Sequence, residues 1–289
     1  MYYNNDTIIF LDGKYVKAAE ANADMYSQSL HYGYAVFEGI RTYTQQDGTI
    51  KVFKGEEHYK RLQQSCEAVY IPFNYTVEEL IDITLKVIEL NKLTDAYVRP
   101  LVFCPPNMSL QKASSSSLMI AVWSWGAYLG EKLLRVKTSS FTRPNPSGFK
   151  IHAKVSGHYV NSILACQEAK SAGFDEALLL DGNGFIAEGP GSNIFLQKDG
   201  KLYTPTDANI LPGITRATII EICKQNGIVC EEKNITPQEI QQADSAFLCG
   251  TAAEVIGMES IDDYVFPINW SESIGKKIQS LYKNCTIGI

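Results

Sequence analysis

Three of the four Asp-Gly dipeptides in the chain are read as turns between two short runs of β-forming residues. Asp12-Gly13 separates Ile8-Ile9-Phe10-Leu11 from Lys14-Tyr15-Val16. Asp47-Gly48 lies between Ile40-Arg41-Thr42-Tyr43 and Ile50-Lys51-Val52-Phe53. Asp181-Gly182-Asn183-Gly184 lies between Glu176–Leu180 and Phe185-Ile186-Ala187-Glu188. Aspartate, asparagine and glycine tolerate the positive φ of a tight hairpin turn, so each site predicts two antiparallel strands. Further strands are expected at Ala96–Phe103, Leu118–Val122, Leu134–Thr138 and Ile194-Phe195-Leu196, and a last one from Ala246.

Helices fall between them. One opens at His58-Tyr59-Lys60-Arg61-Leu62. Thr76-Val77-Glu78-Glu79 is a capping box, followed by Leu80, Ile81, Thr84, Leu85 and Ile88 at helical spacing. A buried helix is expected from Ser162 to near Gly173. Another begins at Leu211-Pro212-Gly213 and stops near Gly227. Thr236-Pro237-Gln238-Glu239 forms a second capping box with proline at the first helical position. Strands and helices thus alternate in a mixed α/β class.

The chain's 289 residues suggest two domains, at roughly 150 residues each. The boundary is placed near Trp125–Gly130, giving a smaller domain over 1–124, a linker over 125–134 and a larger domain over 135–289. With 45% hydrophobic and 20% charged residues, a sizeable core is available. A net charge of -6 argues against nucleic acid or an anionic membrane as a partner. No apolar run approaches the roughly 20 residues of a membrane span. The first residues show neither a basic nor an apolar signal region. Seven cysteines, with no Cys-x-x-Cys pair, read as reduced thiols of a cytoplasmic protein. The four histidines have no metal-ligand spacing, so no metal is expected.

Several residues carry chemistry. Lys154 lies in Ile151-His152-Ala153-Lys154-Val155-Ser156-Gly157, among small and apolar neighbours. An amine in dry surroundings is a nucleophile suited to Schiff-base chemistry, although most lysines are merely solvated. Tyr32 and Phe37 belong to an aromatic- and glycine-rich stretch that fits either a core or a small-molecule pocket. Arg61 is either a solvated charge or a phosphate ligand. Arg99 shares a strand face with Tyr97 and needs a carboxylate from protein or substrate. Glu188, beside a glycine-rich turn, is either solvated or a fixed anion. The helix start at Gly213-Ile214-Thr215 and the turn Gly250-Thr251-Ala252-Ala253 both let backbone amides approach an anion.

Taken in order, these segments resemble the fold-type IV, pyridoxal-phosphate-dependent aminotransferases, above all the bacterial branched-chain amino acid enzymes. The resemblance covers Leu30–Gly33 with Val36–Arg41, His58–Leu62, Tyr97–Leu101, Trp125–Tyr128, Lys154–Tyr159, Glu188–Asn193, Leu211–Arg216 and Gly250–Glu254. It departs at Ser192, where many relatives carry glutamate, and at His158, where asparagine is frequent. The 104–117 loop also lacks their glycine-rich character.

The resemblance implies two α/β domains, the second a pseudo-barrel, with pyridoxal 5'-phosphate at their interface. Lys154 would bind the cofactor covalently and shuttle the proton. Glu188 would face the pyridine nitrogen, and Tyr159 the phenolic oxygen. Arg61, Gly213, Ile214, Thr215, Gly250 and Thr251 would hold the phosphate. Tyr32, Phe37, Tyr97, Arg99, Trp125, Tyr128, Thr251, Ala252 and Ala253 would bind substrate, with Arg99 meeting the side-chain carboxylate of glutamate. The implied reaction is amino-group exchange between branched-chain L-amino acids and 2-oxoglutarate by a homodimer, with higher assembly left open. D-amino acid transamination and aminodeoxychorismate lyase chemistry are the alternatives on the same scaffold.

Overall fold

In a computed structural model, all residues are described except Met1, Ala127, Tyr128 and Glu131. They form two compact units. The first comprises residues 1–126, 153–158 and 288; the second comprises 127–152, 159–287 and 289. The Lys154 segment therefore packs with the first unit, although its neighbours on both sides belong to the second.

The first unit contains β1 (Ile8–Leu11), β2 (Lys14–Lys17), α1 (Gln28–Tyr32), β3 (Ala35–Phe37), β4 (Ile40–Thr44), β5 (Ile50–Val52), α2 (Gly55–Ala68), α3 (Val77–Leu90), β6 (Tyr97–Phe103) and β7 (Ser117–Trp123). Its sheet runs β2-β1-β7-β6-β4-β5, with β3 also on β6. The two expected hairpins form, β1 with β2 and β4 with β5. Asp12 and Gly13 take φ of 46° and 83°, the left-handed pair such a turn requires. The Thr76 capping box closes reciprocally with Glu79. α2 and α3 cover the sheet through Tyr59, Leu62, Leu80 and Ile88, which pack with Val98 and Ile120 in one apolar core.

The second unit contains β8 (Leu134–Thr142), α4 (Tyr159–Ser171), β9 (Glu176–Leu180), β10 (Ile186–Glu188), β11 (Asn193–Lys198), β12 (Lys201–Thr204), α5 (Ile214–Gln225), β13 (Cys230–Glu232), β14 (Ser245–Gly250), β15 (Glu254–Ile261), β16 (Tyr264–Val265) and α6 (Ile274–Ile287). The strand order is β10-β9-β8-β15-β14-β11-β12-β13, with β16 on β15. The β9–β10 hairpin forms as expected.

One expectation changes. α4 buries only small residues, Ser162, Ala165 and Ala169, while Val160, Ile163 and Leu164 face outward, Ile163 with 66% of its surface exposed. Its apolar content therefore does not make it a buried helix. The Thr236 capping box forms as expected and starts a six-residue 3-10 helix, Pro237–Gln242.

Register ties packing to the site. Phe195 of β11 sits opposite Phe247 of β14, and the rings stack at 5.0 Å and 6°. The same two strands carry Asn193 at the start of β11 and Gly250 at the end of β14. Phe247→Ala would leave a cavity beside a buried partner and is expected to cost about 3–5 kcal/mol. Denaturant unfolding of the purified variant measures it.

Candidate active site

In the first unit, α2 presents His58, Arg61 and Ser65 at spacings of three and four residues, which puts them on one helix face. Opposite His58 and Arg61 lies Glu38, whose side chain is 0% exposed. Arg61 donates from Nε to Glu38 Oε1 at 2.7 Å and from Nη2 to Oε2 at 3.0 Å. His58 Nδ1 is 2.7 Å from Oε2, and the Gly39 amide donates to the same oxygen at 3.3 Å.

A buried anion needs this much support. Burial alone would raise the Glu38 pKa, but the charges and hydrogen bonds of Arg61 and His58 outweigh it and hold the carboxyl well below its ordinary range. Burial pushes the His58 imidazole down. Glu38 pulls it up, while the charges of Arg61 and Lys154 add to the lowering.

Ser65 reaches the lysine segment, where its Oγ accepts from the Lys154 amide at 3.1 Å. The Phe37 amide donates to the Lys154 carbonyl at 3.1 Å, and Val36 bridges to Val155. Gly157 donates to the Gly33 carbonyl at 3.0 Å. Gly33 has φ of +64°, and a Cβ there would lie 2.8 Å from the Gly157 Cα, so side chains are excluded where the two backbones touch. Lys154 Nζ lies 5.1 Å from the centre of the Phe37 ring.

Arg99 lies in an aromatic box. Its guanidinium carbon is 4.7 Å from the Phe37 ring centre, 5.4 Å from Tyr97 and 5.9 Å from Trp123. Nη2 donates to the Tyr97 hydroxyl at 3.0 Å, while the buried Nε has no hydrogen-bond partner among the described residues. No salt bridge among those residues involves Arg99. Trp125 packs edge-on against Tyr97 at 4.6 Å, and its carbonyl accepts from Arg41 at 3.0 Å. Tyr32, at the end of α1, is exposed and donates to the Met108 carbonyl at 3.0 Å, in the 104–117 loop. Tyr128 lies outside the described residues.

In the second unit, Glu188 is buried and held by polar partners. Asn193 Nδ2 donates to Oε2 at 2.9 Å and the Leu211 amide to Oε1 at 3.1 Å. Arg143 Nε approaches Oε1 to 2.7 Å, an ion pair whose alignment falls short of a hydrogen bond. Asn193 also donates to the Leu211 carbonyl at 3.1 Å, and its Oδ1 packs where a Gly213 Cβ would stand, 1.9 Å away. Gly213 caps α5 without a side-chain bond, so the first-turn amides of Ile214 and Thr215 lack intrahelical acceptors. Tyr282 of α6 hydrogen-bonds the Thr215 side chain. Gly250 ends β14, and Thr251, Ala252 and Ala253 form the turn to β15. Tyr159 is the first residue of α4.

Of the residues expected from sequence, the first unit thus gathers Arg61, Lys154, Phe37, Tyr97, Arg99 and Trp125. The second gathers Glu188, Gly213, Ile214 and Thr215, and also holds Tyr159 and residues 250–253, with Gly250 packed against Gly191 and Ser192. Sequence reasoning assigned no role to Glu38, His58, Ser65, Trp123, Arg143 or Asn193. His58 and Ser65 could have been found from their spacing to Arg61. Arg143 lies 45 positions before Glu188 and offers no local pattern.

Residues 35–261 match the family model for amino-transferase class IV. The chain belongs to this family. Class IV relatives cover it almost end to end. The branched-chain-amino-acid aminotransferase of Pseudomonas aeruginosa is 39% identical over 99% of this chain and 94% of its own length. The solved Escherichia coli branched-chain amino acid aminotransferase superposes with a TM-score of 0.95 at 36% identity, covering 98% of this chain and 95% of that one. The branched-chain amino acid aminotransferase from Thermobaculum terrenum, solved in its PLP form, gives 0.92 at 31% identity with the same coverage.

The His58 site has a pH signature. Folding lowers the His58 pKa, so the unfolded chain takes up that proton first once pH falls below 6.5. Stability should be full above that value and decline beneath it. Glu38, also lowered, adds a second loss as pH falls from its ordinary 4.5 towards its folded value. In pH-dependent thermal unfolding, His58→Gln should abolish the first decline and leave a smaller second one, because Arg61 then holds the Glu38 pKa down without His58.

Proposed function

We propose that this chain is a pyridoxal-phosphate-dependent aminotransferase that exchanges amino groups between branched-chain L-amino acids and 2-oxoglutarate. The observation that carries the substrate reading is the Arg99 box, a cation walled by Phe37, Tyr97 and Trp123 with no protein carboxylate paired to it among the described residues. One wall set can shelter a branched apolar side chain, and its cation can meet the second carboxylate of glutamate. Full-length likeness to branched-chain aminotransferases supports the same reading.

The residues fit the cofactor. Lys154 is an amine for its aldehyde. Arg61 and the open amides of Ile214 and Thr215 suit a phosphate. Glu188 is a buried, oriented carboxylate suited to a ring N–H. When bound, pyridoxal phosphate supplies an aldehyde that takes up the amino group and a ring that withdraws electrons from the substrate Cα.

In the roles we assign, Lys154 would hold the cofactor, and its Nζ would take up and give back the proton of the substrate Cα. Glu188 holds a proton at the ring nitrogen, where the added positive charge draws electrons most strongly. Arg143 and Asn193 keep that carboxylate in place. Tyr159 donates to the phenolic oxygen. Gly213 and Gly250 let the backbone approach the phosphate, and Thr251 adds its hydroxyl. We assign the substrate carboxylate to Tyr97 in the first unit and to the Thr251-Ala252-Ala253 turn in the second, and the substrate side chain to Tyr32 and Trp125.

Two outward apolar sets support a homodimer. One is Val160, Ile163 and Leu164 on α4; the other, in the first unit, includes Met25, Tyr26, Leu30, Met108 and Leu110. Such surface is seldom left in water. The seven cysteines form no disulfide, which suits the cytoplasmic location we assign. Among the described residues no helix is long and apolar enough to cross a membrane.

Amino-group transfer from L-leucine to the bound cofactor, followed by absorbance, tests the reading. L-leucine should react and D-alanine should not; the reverse would sink it. Arg99→Met should lower kcat/KM for L-glutamate by on the order of a hundredfold, with L-leucine far less affected. Ile163→Glu should shift the chain from dimer to monomer in light scattering.

A further inference from the structure

We propose that Glu38 is a positioning residue for phosphate recognition, acting through Arg61; this rests on the assignment of Arg61 to the phosphate. Glu38 is 0% exposed, and both its oxygens are engaged. Arg61 spends its Nε–H and one Nη2–H on that carboxylate. A guanidinium is planar and carries five N–H donors in a fixed fork. Two bonds to one carboxylate therefore fix the plane, and with it the directions of the other N–H bonds.

His58 completes the clamp. Its Nδ1 at 2.7 Å and the Gly39 amide at 3.3 Å hold Oε2, the oxygen that also receives Arg61 Nη2. His58 and Arg61 share a helix face, and Glu38 lies between β3 and β4, so two elements of one unit meet at this carboxylate. Glu38 also offsets part of the Arg61 charge, which by itself would weaken the attraction for an anion. The arrangement gives up some pull for a donor set held in one orientation. For a group that must grip a tetrahedral dianion by its N–H directions, orientation is the larger effect.

A carboxylate that only stabilised the fold would affect all cofactor forms alike. The test titrates the apoenzyme with pyridoxal phosphate and, separately, with pyridoxal, which lacks the phosphate, following the cofactor absorbance. Arg61→Gln should weaken pyridoxal phosphate by about tenfold or more and leave pyridoxal within about twofold. Glu38→Gln should weaken pyridoxal phosphate by about tenfold with pyridoxal again unchanged. The double variant should bind pyridoxal phosphate no worse than Arg61→Gln alone. If Glu38→Gln does not fold, Glu38→Asp keeps the charge but shortens the reach, and should show the same selective loss. Equal losses for both ligands, or fully additive losses in the double variant, would overturn the role of Glu38. An Arg61→Gln variant with undiminished affinity for pyridoxal phosphate would instead overturn the assignment of Arg61.

Discussion

A carboxylate with no exposed surface must be held by its neighbours or give up its charge. Glu38 stays charged because Arg61 and His58 reach it from one helix face and the Gly39 amide from its own strand end. Much of the first unit follows from that demand. The face of α2 that serves Glu38 also carries Ser65, which fixes the Lys154 backbone. The second unit meets the same demand around Glu188 with Asn193, the Leu211 amide and Arg143. Both carboxylates are therefore oriented before any ligand arrives.

The aromatic box places a different constraint on the same chain. Arg99 sits against three rings, which offer its face a weak electrostatic welcome but satisfy few of its N–H bonds. A cation so placed has unspent capacity for an acid. The rings around it remain apolar enough for an aliphatic side chain. In the function we propose, this duality serves a pocket that takes two amino acids of opposite polarity in turn.

Much of this was legible in the sequence because it is local. The Asp-Gly turns, the Thr76 capping box and the alternation that pairs Tyr97 with Arg99 each rest on residues a few positions apart. The partnerships that organise the site are not local. Glu38 and Arg61 are 23 positions apart, Lys154 and Ser65 are 89 apart, and Arg143 finds Glu188 only once β8 and β10 flank β9. Helix α4 misled for a physical reason: apolar residues imply burial against something, and within this chain they are not covered. Tyr32 differs from the rest of its aromatic stretch in the same way, since sequence gives its chemistry but not its outward direction.

The backbone contact between Gly33 and Gly157 reaches beyond local geometry. It anchors a six-residue segment, 153–158, in the first unit while the chain on either side belongs to the second. Lys154 is thus encoded amid the second unit but built into the first. A gene divided at the apparent linker would strand Lys154 on a fragment lacking Gly33, Phe37 and Ser65, the groups that fix its backbone. The two units are compact, yet they are not modules that recombination could exchange independently.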